Sequence, residues 1–255
     1  MNYIVSAITD IGLKKSTNQD SYGVKLYTTD AGRIAFAVLC DGMGGLSKGE
    51  LASATVVRAF LQWADTRLKH IYRNSNADDL IISEWTDLVR TYNSKIKLYG
   101  ERNGIKLGTT VNAILLTEKK YYILNVGDSR TYEIRDHVRL ITKDHTLVQR
   151  ELDEGKLTEA QARTDPRRSV LIQCVGASPD VVPDFFMGDT LADCVYMLCS
   201  DGFRHEITED EMFCYLNPSV MTNQVSMDNN MTALIDMDKQ RMERDNITVL
   251  TIRTF

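Results

Sequence analysis

Four aspartates mark the ends of apolar runs in this chain. AVLC leads into Asp41-Gly42, MLCS into Asp201-Gly202 and ILNV into Gly127-Asp128, while Asp245 stands immediately before NITVLTI. Each carboxylate therefore falls where a buried strand is expected to meet a loop, held at the rim of a sheet. Taken singly, Asp-Gly makes turns; the four do chemistry only if the fold brings them to one place. Carboxylates that converge repel one another and resist ionisation, a conflict that a divalent cation removes. An all-oxygen donor set selects hard ions, Mg²⁺ or Mn²⁺, over zinc or copper. Zinc is disfavoured independently, because His70, His137, His145 and His205 have neither HxH nor HExxH spacing.

Schemes built on a protein nucleophile or a nucleotide cradle fail by counting. A cysteine-phosphatase loop needs arginine six residues after the cysteine, where this chain has Leu46, Asp180, Ser200, His205 and Val220. The stretch Asp41-Gly-Met-Gly-Gly-Leu-Ser-Lys48 lacks the glycine directly before lysine that a P-loop requires, and no GxSxG elbow occurs. What survives is water activated by metal.

The elements that must position these residues are legible from their periods. YIVSAIT and YGVKLY read as strands, and RIAFAVLC (33–40) as a buried strand because it is continuously apolar. Three- and four-residue spacing of apolar positions predicts helices over 47–72 and 77–102. Strands then dominate: TTVNAILLT, KYYILNVGD, RTYEIR and HVRLIT. The stretch 144–168 turns polar and helical, a surface excursion in which Thr158 and Gln161 have capping-box spacing. Strand-like VVPDFFM, apolar CVYMLCS, a weakly helical region and a last strand, NITVLTIR, complete the chain, with 217–230 read as a loop. Runs of strands with paired long helices predict an α+β fold of stacked sheets flanked by helices, in one domain across 1–255.

Composition narrows the classes further. The 255 residues are 43% hydrophobic and 25% charged, proportions that build a globular core. Thirty basic against 35 acidic residues leave a net charge of −5 without a basic cluster, which disfavours nucleic acid. The cysteines number five and lie mostly in apolar runs without CxxC, as reduced core residues of a cytoplasmic protein do. MNYIVSAITD has no basic region or long apolar stretch, so neither a signal peptide nor a membrane span is expected.

With these residues in hand, the chain resembles the metal-dependent protein phosphatases, the type 2C serine/threonine phosphatases, in their bacterial form. The resemblance runs from Thr9 to Arg253 and rests on TDIGLKKSTNQDS (9–21), LCDGMGG (39–45), GTT (108–110), NVGDSR (125–130), TKDHTLV (142–148), CSDGF (199–203) and DNIT (245–248) in order. It implies a four-layer αββα sandwich, two antiparallel sheets flanked by helix pairs, with the excursion near 144–168 as a mobile flap. It also implies two or three Mn²⁺ or Mg²⁺ ions. Asp41 bridges the central pair with the Gly42 carbonyl on one side, Asp201 and Asp245 complete the other ion's shell, Asp128 with Asp201 holds a weaker third ion, and Asp20 supports the cluster. A hydroxide bridging the ions then attacks phosphoserine or phosphothreonine directly. Phosphorylated proteins are the implied substrates of a cytoplasmic monomer, with a cognate serine/threonine kinase as counterpart. The alternatives are a degenerate relative that senses phosphoproteins or metal, and a hydrolase of small phosphoesters.

The sequence departs from the family at Lys15 and Gln19, where the family usually has arginine and an acidic residue. Lysine offers a phosphate a point charge in place of a planar fork, so Lys15 keeps part of that catalytic role with a raised KM; Lys14 competes for it. Gln19 lowers the affinity of one metal or is tolerated at one remove from it. Met43 supplies no proton, which leaves protonation of the leaving group to water. His145 reads as structural, and Asp165-Pro166 as a turn.

Overall fold

A computed structural model of the chain describes residues 1–30, 32–43 and 48–255. In chain order the elements begin with β1 (Tyr3–Asp10), β2 (Ser21–Thr29), β3 (Gly32–Cys40), β4 (Gly42–Met43), α1 (Gly49–Ile71) and α2 (Ala77–Asn103). They continue with β5 (Gly108–Thr109), β6 (Val111–Leu116), β7 (Lys120–Val126), β8 (Arg130–Ile134), β9 (Val138–Leu140), α3 (Leu147–Asp153) and α4 (Glu159–Thr164). The last are β10 (Asp184–Asp189), β11 (Cys194–Cys199), α5 (Asp201–Arg204), α6 (Glu209–Leu216), α7 (Gln224–Gln240) and β12 (Ile247–Thr254).

Two five-stranded antiparallel sheets form the centre, ordered β1-β12-β11-β8-β9 and β10-β7-β6-β3-β2. Strand β3 shows why its sequence is continuously apolar. Ala35, Ala37 and Leu39 join the core between the sheets, where Ile114, Leu198 and Leu250 also lie. The alternate Phe36, Val38 and Cys40 pack outward with α1 and α2. Trp63 and Trp85 meet there edge to face at 5.3 Å. The other sheet buries Met197, Cys199, Ile247 and Val249 with α6 and α7. The architecture is therefore the four-layer αββα sandwich, an α+β fold.

The long helices fall where the apolar spacing predicts them, with Ser47 outside the described residues. Thr158 and Gln161 form the expected capping box at α4. The polar pattern of 217–230 predicts a loop, and here the structure differs: α7 begins at Gln224. Asn223 Oδ1 accepts the Ser226 N–H at 3.0 Å while Ser226 Oγ accepts the Asn223 N–H at 3.0 Å, a capping box without its usual glutamate. The apolar face is made of Met227, Met231, Leu234 and Ile235, all buried. Methionines spaced among Asn and Asp hide that stripe from a reading of hydropathy.

Candidate active site

Antiparallel pairing decides where the strand ends fall. β3 and β7 both flank β6 antiparallel, so they run the same way and deliver Asp41 and Asp128 to one edge. β2 pairs with β3 with Ser21 opposite Cys40, which puts Asp20 at that edge too. In the facing sheet Cys199 pairs with Val249, so the end of β11 and the start of β12 coincide and Asp201 meets Asp245. The two edges face each other across a cleft of about 240 Å³ lined by Asp41, Asp128, Asp201 and Asp245, with Lys15 and Gln19 at its wall.

The backbone of Asp41 is clamped from both sides. Thr110 Oγ1 accepts its N–H at 2.9 Å, and its carbonyl accepts the Thr110 N–H and the Thr109 hydroxyl, each at 2.9 Å. Gly42 is a glycine for want of room: a Cβ there would overlap Gly49 O and Gln19 O. Gly127 differs, adopting φ +107° to turn β7 toward Asp128. With its amide oriented to satisfy both ends, Gln19 donates to Gly42 O at 3.3 Å and accepts the Gly49 N–H at 3.1 Å.

Charge is under strain in this cleft. Burial, followed by the fields of Asp20, Asp201, Asp128 and Asp245, pushes the Asp41 carboxyl well above the usual carboxylate range. Burial raises Asp20 to about 6, eased by the hydroxyls of Thr248 and Ser200 and reinforced by Asp201 and Asp245. Among the described residues, Asp20 Oδ1 and Asp201 Oδ1 are buried without a hydrogen-bond partner. An unpaired buried carboxylate oxygen is costly, and a hard cation is the partner whose chemistry matches. No three His, Cys, Asp or Glu side chains among the described residues close on one point by themselves. Carbonyl oxygens such as Gly42 O, together with water, would complete a shell, as Mg²⁺ favours. Lys15 Nζ lies 2.6 Å from Asp245 Oδ1, and after burial, which opposes its charge, the Asp245 contact and the fields of Asp41 and Asp201 hold its pKa up.

A family model described as protein phosphatase 2C matches residues 13–236. A putative protein phosphatase 2C-type of Streptococcus pyogenes is 31% identical over 252 residues, spanning 97% of this chain and 96% of its own length. The chain belongs to the protein phosphatase 2C family. The solved structure of the S. agalactiae serine/threonine phosphatase superposes with a TM-score of 0.84 at 28% identity, covering all of both chains. The catalytic domain of the serine/threonine protein phosphatase PstP in complex with two manganese ions superposes at 0.77 and 28% identity, covering 98% of this chain and 97% of that one.

This protein phosphatase 2C surrounds its cleft with side chains that sequence reasoning passed over. Arg204 donates to Asp128 O at 3.0 Å, and the same nitrogen lies 3.5 Å from Asp128 Oδ2 and 3.3 Å from Asp144 Oδ2. Arg130 grips both Asp144 oxygens at 2.8 Å. Burial opposes the charge of Asp144, yet the two guanidiniums hold its carboxyl below the usual range. Asp128 has less relief and is pushed up to about 7, by burial and then Asp201. Asn246, inside the DNIT motif, ties the first loop down: its Oδ1 accepts the Gln19 N–H at 2.9 Å and its amide donates to Ile11 O at 2.9 Å. The signal that could have found Arg204 and Asn246 is adjacency in sequence to Asp201 and Asp245.

His145 is structural, as its sequence suggests. Its Nδ1 faces the Gly127 N–H at 3.2 Å and the Gln173 amide at 2.7 Å, and its Nε2 lies 3.0 Å from Asp184. It thus couples the turn before Asp128 to the base of the excursion, where Ile172 N–H reaches His145 O. Asp165 accepts the Arg167 N–H at 2.8 Å, a turn in keeping with Asp165-Pro166. A larger cleft of about 590 Å³ opens at the opposite end of the sandwich beside Tyr72, Asp78 and Lys120. Lys120 and Asp78 pair with each other there at 2.6 Å, and none of the clustered carboxylates reaches it, so size does not identify the site.

Proposed function

We propose that this chain is a Mn²⁺- or Mg²⁺-dependent serine/threonine protein phosphatase, with Asp41, the Gly42 carbonyl, Asp201 and Asp245 as the ligands of two cations. The observation that carries the reading is the meeting of four mutually repelling aspartates in one cleft, with Asp201 Oδ1 there, and Asp20 Oδ1 nearby, buried without a partner among the described residues. Asp20 stands behind the ligands as a supporting carboxylate. Asp128 already has the Arg204 guanidinium beside it, which supports two ions over three. Two cations bound here would supply a water acidified toward neutral pH and a positive clamp on the phosphoryl oxygens. Thr109 and Thr110 fix Asp41 so that no reorganisation is needed when charge develops. Residues 144–168 act as a flap over the substrate, with Ser169 and Leu171 at the cleft wall.

Phosphorylated proteins are the substrates, which implies a serine/threonine kinase as counterpart. A net charge of −5 supports the exclusion of nucleic acid. No helix among the described residues is long and apolar enough to cross a membrane. The proposal is of a monomer working in the cytoplasm.

The test is turnover of p-nitrophenyl phosphate and of a phosphothreonine peptide against a Mn²⁺ titration. Hydrolysis is expected to appear with Mn²⁺ and vanish with EDTA. Mn²⁺ is also expected to raise the unfolding temperature, since a ligand at a hundred times its Kd stabilises by about 2.7 kcal/mol. Metal binding without turnover of either substrate would point to a phosphoprotein sensor instead. Absence of any metal effect would sink the two-cation site.

Lys15 is assigned to the phosphate: its ammonium turns from Asp245 to a phosphoryl oxygen when substrate enters. Lys15→Ala is expected to raise KM about tenfold, the size of one charge-assisted hydrogen bond, with little change in kcat. Lys15→Arg, restoring a bidentate fork, lowers KM below the wild-type value. An unchanged KM in both variants would remove Lys15 from the site.

A further inference from the structure

The two carboxylates assigned to one cation arrive from different elements: Asp201 opens α5, and Asp245 lies in the loop between α7 and β12. One pair of largely buried side chains joins them. His205 follows Asp201 by four residues, the spacing that places side chains on one helix face, and its Nε2 lies 3.5 Å from Asp201 Oδ2. That is an ion-pair separation, too long for a well-formed hydrogen bond. Across the ring, Nδ1 is 3.2 Å from Glu243 Oε2. The other Glu243 oxygen accepts the backbone N–H of Arg244 at 2.6 Å and of Asp245 at 2.8 Å. A continuous path therefore runs from the Asp201 carboxylate through imidazole and carboxylate to the backbone of Asp245.

The chain adopts an uncommon conformation to make this path. α7 closes on Met242 with φ +69°, after which the Glu243 N–H returns to Asp238 O at 3.1 Å. A left-handed methionine is disfavoured by its Cβ. Met242 is exposed while Glu243 is buried, so the turn serves to bring the glutamate inward. Neither His205 nor Glu243 has a part in the chemistry derived above.

Resting on the two-cation reading of the site, we propose that His205 and Glu243 are positioning residues. They form a brace that fixes the Asp245 loop relative to Asp201, so that a divalent cation meets both carboxylates already placed. Outer partners of metal ligands of this kind are worth about 10- to 100-fold in metal affinity.

The test is calorimetric titration of Mn²⁺ into the metal-free full-length chain, with unfolding in EDTA as the check on folding. His205→Ala and Glu243→Ala are each expected to weaken Mn²⁺ binding about 10- to 100-fold. The double variant is expected to lose no more than about twofold beyond the weaker single one, because both residues act through one path. Glu243→Gln is expected to stay within about threefold of wild type, since its amide oxygen can accept the same N–H groups and its nitrogen can donate to Nδ1. The brace is overturned if folded alanine variants bind Mn²⁺ like wild type, if Gln is as weak as Ala, or if the two losses multiply. Should His205→Ala fail to fold, the Glu243 pair of variants decides. Asp201→Asn is the control: wild-type affinity there, or no Mn²⁺ binding by wild type, overturns the two-cation reading itself.

Discussion

Asp41→Asn is expected to abolish metal-dependent turnover, lowering kcat/KM about 10³-fold or more, while the metal-free protein becomes harder to unfold. The first effect follows from its place. Asp41 is the residue whose backbone Thr109 and Thr110 hold rigid, and one preorganised electrostatic contact alone contributes about 10²–10³ in rate. The second follows from the charge count. Burial and four neighbouring aspartates already oppose ionisation of Asp41, so a neutral amide of the same shape relieves the metal-free fold. Asp201→Asn is expected to share the loss of activity. A loss of activity together with a loss of stability in EDTA would mean that Asp41 holds the fold and not a cation. The measurement is a Mn²⁺ titration of activity beside unfolding curves with and without EDTA.

Asp238→Asn is expected to stabilise the protein at neutral and alkaline pH and leave it unchanged near pH 4. Asp238 lies on the buried face of α7, and among the described residues neither of its oxygens has a hydrogen-bond partner. Burial, and then Glu243 and Glu206, push its carboxyl up to about 8, with Glu211 adding to the rise and Arg241 opposing it. The unfolded chain releases this proton near pH 4 and the folded chain holds it to about 8, so the unfolded state binds fewer protons between the two. Stability therefore falls with rising pH across that window and is level above it. Asparagine is neutral throughout, so its advantage grows by about 1.4 kcal/mol per pH unit from pH 4 to pH 8, to on the order of 5 kcal/mol. Unfolding midpoints at pH 4.5, 6 and 8 give the readout, and the carboxylates of the cleft, common to both proteins, cancel in the difference. A gain that does not depend on pH would refute the assignment.

Asp238 also shows where a sequence stops being informative. One aspartate in DMDKQ looks like its neighbours, and Asp236 and Asp238 differ only in the side of the helix they occupy. The loop expected over 217–230 failed for a related reason: Met227 and Met231 form an apolar stripe only once a sheet lies beneath them. Lys15 is a third case. Its type and spacing suit a phosphate ligand, but that its ammonium rests on Asp245 depends on the loop that Asn246 pins.

The sequence by itself determined the strands and the long helices, because periods of two and 3.6 are written locally and β3 must be apolar on both faces. It determined also that Asp41, Asp128, Asp201 and Asp245 stand at strand ends, and its ordered motifs carried the resemblance to a family. Only the tertiary structure decided that the four ends share one rim. Convergence rests on antiparallel pairing among strands far apart in the chain, which no local pattern encodes. It alone set Arg204 against Asp128 and passed the contact of Asp201 through His205 and Glu243 to Asp245. The contacts of Arg204 with Asp128 and of His205 with Glu243 join residues 76 and 38 positions apart, a separation that carries no signal, and burial, which a side chain acquires only on packing, gives them their strength.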